Sequence, residues 1–376
     1  FWKMKILVER DDLLSAISAA SRSSSVNSTV PILEGLLFQA LDSTLTVTGY
    51  DMKTGIRVKI DAEVRDPGTI VLRAKLINDV VRSMPGGPVT IDVTADSLVR
   101  VSCFNSKFEL MGNPADDFPE LPGVDELSSV SIPQGKLKKL ITETMFSISD
   151  NETRPVLTGS KFEIAGNRLT VVAVDGYRLA LRREDFTSSN SDSTSFIVPG
   201  NALHEIARLS AGDEDEAHVT IGTRHLLFKI GPVEIISRRL DGEFLDYEKS
   251  LPLNTRLIFT ADRKAVLESA ERVSLILDDK AKYPLKCEIT GDVLNFRAET
   301  GFGRANDECL IEMQNPGEEI LIGFNYKFVT EALKNCPAQT IRVALNGPTN
   351  PCVITPAEDG DDSFLYMILP VRIRAE

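Results

Sequence analysis

The sequence repeats itself three times with a period of about 125 residues. A segment that alternates as a β-strand does recurs with spacings of 124 and 125 residues, at residues 45–51, 169–175 and 294–300. An apolar strand that runs into a helix recurs in the same order, beginning at Ile70, Phe196 and Leu321. This period is too long for a solenoid and has the size of a whole domain, so the sequence predicts a tandem triplication of one domain.

Turn-rich segments mark where the copies end. Residues 113–123 and 240–252 are rich in the aspartate, glycine and proline that favour turns, so we predict domains at 4–125, 126–252 and 253–376. Within each copy a short strand is followed by a helix, several alternating strands, a second helix and further strands. The predicted fold class is α+β, with two helices against antiparallel sheet in every copy.

Composition excludes several classes of protein. The 376 residues are 42% hydrophobic and 26% charged, as in an ordinary folded protein, and they hold neither a long apolar run nor a charged-then-apolar leader. We therefore expect a cytoplasmic protein without a membrane span. The five cysteines are odd in number and contain no C-x-x-C pair, so we expect reduced, mostly buried thiols instead of disulfides or a zinc site.

Catalytic motifs are missing from the sequence. We find no phosphate-binding loop, no dinucleotide-binding glycine motif after a strand and no nucleophile elbow. The three histidines stand beside no plausible nucleophile, and the acidic runs lack the spacing of a calcium loop. We therefore predict a protein that is not an enzyme and that needs no cofactor or metal.

The basic charge is concentrated on the predicted helices. A net charge of −13 argues at first against a nucleic-acid partner. However, the six predicted helices together carry +4, which leaves −17 for the remainder of the chain; they lie at residues 9–22, 73–84, 134–147, 199–210, 262–277 and 325–336. Such segregation predicts one surface that attracts phosphate groups inside an acidic protein.

One basic position recurs in all three copies. In the helix at 73–84, an apolar stripe is expected to face a core; it consists of Leu76, Ile77, Val80, Val81 and Met84. Arg82 lies on the opposite face, and the corresponding residues of the other two copies are Arg208 and Lys334. Recurrence at a triplicated position favours a functional face over an ordinary solvated one.

Several short sequence motifs, taken together with the triplication, resemble those of one protein family. They are MKI at 4–6, VPIL at 30–33, PADDFP at 114–119, DGYRLA at 175–180 and YMILPVR at 366–372. Over residues 4–373 the chain resembles the bacterial sliding clamps, the beta subunits of DNA polymerase III. The resemblance implies that two three-domain chains pair head to tail into a ring around duplex DNA. It also implies, as partners, the replicative polymerase, the clamp loader and other proteins with a short linear motif.

Simple geometry is consistent with a ring of two chains. Twelve helices, each about 10 Å across, set side by side make a circle about 38 Å in diameter and leave an opening of about 28 Å. A duplex about 20 Å wide passes through it, whereas six helices would leave only about 9 Å. Retention on DNA would then depend on threading, so a modest positive lining would suffice.

The resemblance assigns residues to three surfaces. The DNA-facing residues are Lys75, Arg82, Lys138, Lys139, Asn151, Arg154, Arg208 and Lys334. The subunit interface is assigned to Lys107, Phe108 and Leu110 on one side and to Leu275, Ile276, Glu299 and Glu308 on the other. The partner-peptide pocket is assigned to Leu157, Asp175, Gly176, Tyr177, Arg178, Leu179, Leu245, Lys249, Met367, Leu369, Pro370, Val371 and Arg372. Leu245 stands where the family usually has proline, and the chain continues past Ile373, where many members stop.

Two other functions remain open from the sequence. The same triplicated domain could serve as a scaffold or ligand-binding protein without DNA, and charge reversal of Arg82, Arg208 and Lys334 would separate that function from a clamp. An enzyme is the third alternative, which the absent motifs disfavour.

Overall fold

The computed structural model describes residues 3–25, 29–186, 193–212, 215–252, 255–278, 283–315 and 319–373. These residues form six α-helices: α1 (Arg10–Ala20), α2 (Ala74–Ser83), α3 (Gln134–Thr142), α4 (Gly200–Leu209), α5 (Arg263–Ser274) and α6 (Tyr326–Asn335). All six helices predicted from the sequence are present. None of the helices in these ranges has both the length and the apolar character that crossing a bilayer requires.

The described residues also contain 26 strands. The first nine are β1 (Met4–Glu9), β2 (Gly35–Leu41), β3 (Thr44–Tyr50), β4 (Thr54–Asp61), β5 (Glu63–Asp66), β6 (Gly68–Arg73), β7 (Pro88–Val93), β8 (Leu98–Cys103) and β9 (Ser106–Met111). The next eight are β10 (Ser128–Pro133), β11 (Gly159–Ala165), β12 (Arg168–Val174), β13 (Arg178–Asp185), β14 (Thr194–Pro199), β15 (Glu216–Ile221), β16 (His225–Ile230) and β17 (Val233–Arg238). The last nine are β18 (Leu257–Asp262), β19 (Leu285–Thr290), β20 (Val293–Thr300), β21 (Gly303–Leu310), β22 (Glu312–Met313), β23 (Ile320–Phe324), β24 (Thr340–Leu345), β25 (Cys352–Pro356) and β26 (Phe364–Ile368).

The structure confirms the threefold repeat and the α+β fold class. The recurring alternating segments form β3, β12 and β20, and the recurring strand before a helix is β6, β14 and β23. By contacts the chain forms two compact units: unit 1 comprises Phe1–Leu137 with His204–Arg239, and unit 2 comprises Lys138–Leu203 with Leu240–Glu376. The division falls inside the second copy, and the predicted domain boundaries at 125 and 252 stay predictions.

Each unit contains two antiparallel sheets. Unit 1 has a five-stranded sheet in the order β5-β1-β7-β8-β9 and an eight-stranded sheet in the order β10-β15-β16-β17-β4-β3-β2-β6. Unit 2 has a nine-stranded sheet in the order β14-β11-β12-β13-β26-β25-β24-β18-β22 and a four-stranded sheet in the order β21-β20-β19-β23. Within the described residues, β9 and β21 each end their sheet and pair on one side only.

The long sheets join strands from different sequence copies at two places. In the first joint, β4 pairs with β17 so that Gly55 lies opposite Ile236. In the second joint, β13 pairs with β26 so that Leu179 lies opposite Met367. Strands β4 and β13 occupy equivalent positions in the first and second copies, and β17 and β26 are the last strands of the second and third copies. The second joint is therefore the same strand pairing as the first, one copy further along the chain.

Helix boundaries and burial follow local chemistry. The Asp262 carboxylate accepts a hydrogen bond from the Ala265 N–H at 2.7 Å and caps α5, because the first N–H groups of a helix lack partners within it. In α2, Ile77, Val80 and Val81 are buried as predicted. The prediction for Leu76 was wrong: it is exposed, because it lies one residue, or about 100°, around the helix from Ile77 and falls outside the buried stripe.

Candidate functional site

A tight turn between β12 and β13 presents the first predicted pocket residues. One Asp175 carboxylate oxygen accepts hydrogen bonds from the backbone N–H groups of Tyr177 at 2.8 Å and Arg178 at 2.9 Å. Gly176 has a φ of 93°, which a residue with a side chain adopts only with strain. The turn leaves Tyr177 64% exposed, with its ring stacked 6.2 Å from that of Phe328.

Arg178 anchors this turn to α6. Its Nε donates to Asp175 at 2.9 Å, and its Nη1 donates to Glu331. The guanidinium lies 4.5 Å from the centre of the Phe328 ring and 5.5 Å from that of Phe146, in range of cation–π attraction. Consecutive strand residues face opposite sides of a sheet, so Arg178 lies on the helix side and Leu179 on the other. The structure therefore separates Arg178 from the apolar pocket residues.

An apolar cluster forms the floor of the predicted pocket. Leu157, Leu179 and Met367 are buried together in it. Phe244 and Tyr247 also belong to this cluster, although the sequence did not predict them as pocket residues, because their link to β13 is a tertiary contact. The Tyr247 hydroxyl donates to a Glu163 carboxylate oxygen at 2.5 Å, and burial together with this carboxylate raises the pKa of Tyr247.

The rim of the pocket is more exposed than its floor. The Leu369 N–H donates to the Tyr177 carbonyl at 2.8 Å, which ties the chain after β26 to the turn. The remaining predicted members are at least partly exposed: Gly176, Leu245, Lys249, Leu369, Pro370, Val371 and Arg372. Lys249 forms a 2.6 Å ion pair with Asp246, an exposed pair that contributes little to stability.

The predicted DNA-facing residues are all exposed. Lys75 and Arg82 lie on α2, Lys138 and Lys139 on α3, Arg208 on α4, Lys334 on α6, and Asn151 and Arg154 in the segment before β11. Lys334 is paired with Glu271 of α5 at 2.7 Å. The Asn151 side chain accepts from the Thr153 N–H at 3.0 Å and so shapes its own loop.

The predicted interface residues lie on or near β9 and β21, two of the strands that end a sheet in the described residues. On β9, Lys107 is exposed, Phe108 is partly buried and Leu110 is buried. At the end of α5, Leu275 is 85% exposed, while Ile276 packs against the core of unit 2. Glu299 pairs with Arg304 across β20 and β21, and Glu308 accepts a hydrogen bond from Asn295. An open strand edge presents unpaired N–H and C=O groups with which a strand of another chain can pair.

The cysteine side chains lie inside the protein. All five cysteines are free and buried, as predicted. Burial raises the pKa of Cys309 and of Cys336 to about 11 and that of Cys352 to about 12, so these thiols are poor nucleophiles at neutral pH. In the part of the chain that the structure describes, no three His, Cys, Asp or Glu side chains cluster as metal ligands.

Comparison with known proteins covers almost the whole chain. Family models of the DNA polymerase III beta subunit match in order: the N-terminal domain at residues 4–122, the central domain at 131–246 and the C-terminal domain at 248–372. The beta sliding clamp of Bacillus subtilis is 30% identical over 98% of this chain and 100% of its own length. That of Synechocystis is likewise 30% identical with the same coverage.

Solved structures agree with the sequence comparison. The crystal structure of the Bacillus subtilis sliding clamp superposes with a TM-score of 0.94 at 28% identity, covering 99% of this chain and 100% of that one. A putative DNA polymerase III beta subunit from Eubacterium rectale superposes with a TM-score of 0.92 at 30% identity, covering 98% and 99%. The chain belongs to the beta sliding clamp family, the non-catalytic processivity subunits of DNA polymerase III.

Proposed function

We propose that two copies of this chain pair head to tail, with β9 of one copy against β21 of the other, and close a ring around duplex DNA. The observation that carries this proposal is the repeated joint. Strand β21 holds the place of β4 and β13 in its copy, and β9 holds that of β17 and β26. The chain therefore makes the same strand pairing twice internally, and the outer edges of β9 and β21 would form a third such pairing between two copies.

The register of the internal joints predicts the register between copies. If β21 of one copy and β9 of the second copy pair in this register, Ala305 lies opposite Phe108 of the second copy and Arg304 lies opposite Glu109 of the second copy. The Arg304 side chain is 81% exposed and that of Glu109 is 60% exposed, so both are accessible to another chain. Opposite charges facing each other fix register and exclude a slipped pairing.

Mass in solution tests the pairing. We expect a particle of twice the chain mass of 41.3 kDa. Arg304→Glu and Glu109→Arg should each weaken dimerisation, and the double variant should restore it because the charges are exchanged. Arg297→Glu on β20, away from the edge, is the control. A particle with the mass of a single chain at every concentration would contradict the proposal.

The DNA-facing set supports a weak, sequence-independent hold on the duplex. Arg82, Arg208 and Lys334 occupy one repeated helix position and are all exposed. We propose that they and the other residues of this set face phosphate groups, while threading retains the ring. Reversing these three charges should lower clamp loading and polymerase processivity, whereas Arg65→Glu on β5 should not. Unchanged loading in the triple variant would favour the alternative of a scaffold without DNA.

The cluster at the second joint supports a partner site. We propose that the replicative polymerase, the clamp loader and other replication or repair proteins dock there by short motifs with apolar or aromatic anchors, as apolar pockets with few polar groups allow. An affinity near micromolar, about −8 kcal/mol, suits exchange between partners. Because a sliding clamp acts on chromosomal DNA, we also propose that the protein is cytoplasmic.

A further inference from the structure

The second joint includes an aromatic contact outside its strand pairing. The Tyr177 ring, in the turn between β12 and β13, stacks 6.2 Å from the Phe328 ring of α6. The Arg178 guanidinium covers the same ring from 4.5 Å. A turn of the second repeat thus packs against the second helix of the third repeat.

The turn between β20 and β21 presents an aromatic ring at the equivalent position. The register of β20 with β21 matches that of β12 with β13, which places Phe302 where the second joint has Tyr177. The Phe302 N–H donates to the Thr300 hydroxyl at 3.1 Å, as the Tyr177 N–H donates to Asp175. Phe302 is 87% exposed, so its own chain covers little of the ring.

Helix α2 presents Leu76 at the position of Phe328. Each is the third residue of the second helix in its repeat. The two helices bury the same stripe, which consists of Ile77, Val80 and Val81 in α2 and of Val329, Ala332 and Leu333 in α6. Leu76 is 45% exposed, whereas Phe328 packs against the core of unit 2. Leu76 therefore lacks the cover that the turn of the preceding repeat gives to Phe328.

Backbone hydrogen bonds locate Phe302 in the proposed pairing of β21 with β9 of a second chain. At the second joint the Leu369 N–H donates to the Tyr177 carbonyl at 2.8 Å, and the first joint has the matching bond at 3.1 Å. The same register sets the Met111 N–H of the second chain opposite the Phe302 carbonyl. This N–H points to the open edge, because the next one, of Gly112, bonds at 2.9 Å to the carbonyl just before β8 and the directions alternate.

We propose that Phe302 packs against Leu76 of the second chain, as Tyr177 packs against Phe328 within one chain. The inference rests on the proposed head-to-tail pairing and adds to it a contact between side chains beyond the paired strands. Both side chains are exposed in the single chain, so their mutual burial removes apolar surface from water. A closed ring of two chains forms this contact twice.

The pair also selects which chains can join. The first joint has Lys53 and Ala202 at these positions, so the fold itself does not require two large apolar residues there. A chain with a carboxylate at position 76 would have to bury that charge against the Phe302 ring. Such a mismatch disfavours the wrong partner, because an unpaired charge is costly to remove from water.

A double-mutant cycle on dimer affinity tests the contact. Fluorescence-detected sedimentation of the full chain over a dilution series gives the dissociation constant of the dimer. Phe302→Ala and Leu76→Ala should each raise it about 10-fold, and the double variant should raise it no further because both changes remove one contact. Leu76→Glu should raise it more than Leu76→Ala. Leu41→Ala, which shortens an exposed leucine of β2, is the matched control and should not change it.

The outcomes separate this contact from the pairing itself. A chain that stays single at every concentration overturns the pairing and this contact with it. A dimer whose affinity is unchanged by either alanine substitution overturns the contact and leaves the pairing intact. Effects that multiply to about 100-fold in the double variant show that the two side chains act separately, and they also overturn the contact. Phe302→Ser and Leu76→Gln replace any alanine variant that does not fold.

Discussion

The two sheet joints have the same backbone arrangement and differ in their side chains. Both begin with the same turn: an Asp51 oxygen accepts from the Lys53 and Thr54 N–H groups, as an Asp175 oxygen does from Tyr177 and Arg178. After the aspartate, the first joint reads Met52, Lys53, Thr54 and Gly55, and the second reads Gly176, Tyr177, Arg178 and Leu179. These four differences give the second joint an exposed aromatic ring, and they place the Leu179 side chain in its apolar cluster where the first joint has glycine.

Below the turn, the joints also differ in buried charge. Val58 of β4 corresponds to Arg182 of β13, which is buried. The Arg182 guanidinium lies 2.7 Å from Glu143 and 2.5 Å from Glu184. The contact with Glu143 is an ion pair whose N–H is poorly aligned with the oxygen. Burial raises the pKa of Glu143, although the arginine opposes that rise. Unit 2 therefore depends at this position on a charge network where unit 1 uses an aliphatic side chain.

The largest effect should come from breaking this network. Glu143→Ala removes one of the two carboxylates that balance the buried charge of Arg182. Loss of one member of a buried ion pair lowers the free energy of unfolding by about 3 to 5 kcal/mol. We expect urea unfolding to show this loss and hydrogen exchange to speed up in β13 but not in β4. Glu152→Ala, at an exposed position, should change stability by less than about 0.5 kcal/mol. Equal loss of protection in both strands would remove the contrast between the joints.

The second largest effect is expected for peptide binding at the exposed Tyr177 ring. Tyr177→Ala removes an aromatic anchor at the pocket rim, and truncation of such a residue weakens binding by about 10-fold or more. Lys53→Ala changes the matching residue of the first joint and should leave peptide affinity unchanged. Fluorescence polarisation with a short fluorescein-labelled peptide that ends in leucine and phenylalanine measures both affinities. Equal affinities of the two variants would place the partner site elsewhere.

The smallest effect is in the turn itself. Met52 has a φ of 71°, where Gly176 stands in the second joint with a φ of 93°. A side chain is strained in this region, so Met52→Gly should stabilise unit 1 by about 1 kcal/mol and Gly176→Ala should destabilise unit 2 by a similar amount. Thermal unfolding measures both. A loss of stability in Met52→Gly would show that the methionine side chain outweighs the backbone strain.

The sequence predicted the architecture well because a repeat and a helical or strand periodicity can be recognised from the order of the residues alone. The period near 125 located β3, β12 and β20, and the helical spacing located all six helices. The opposite orientations of Arg178 and Leu179 also follow from the alternation along a strand, but only when the packing on each face is known. That packing depends on the pairing of β13 with β26, which belong to different copies of the repeat and lie far apart in the sequence.

Other features of the sites have no local signal. The contact between Leu121 and Gly55 requires a linker at the end of the first copy to fold back onto β4, a strand near the middle of that copy. The burial of Tyr247 against the second joint is of the same kind. Leu76 is exposed because a helix buries only part of its surface, and the width of that part is set by its neighbours.

Release from DNA ends distinguishes a threaded ring from a protein that binds DNA directly. The chain would be loaded by a bacterial clamp loader onto a nicked circular plasmid, separated from free protein by gel filtration, and then followed after a single restriction cut. A ring held by threading should stay with the uncut circle and leave the linear product, because a free end lets it slide off. Equal retention on the linear and circular DNA would contradict encirclement and would indicate direct binding.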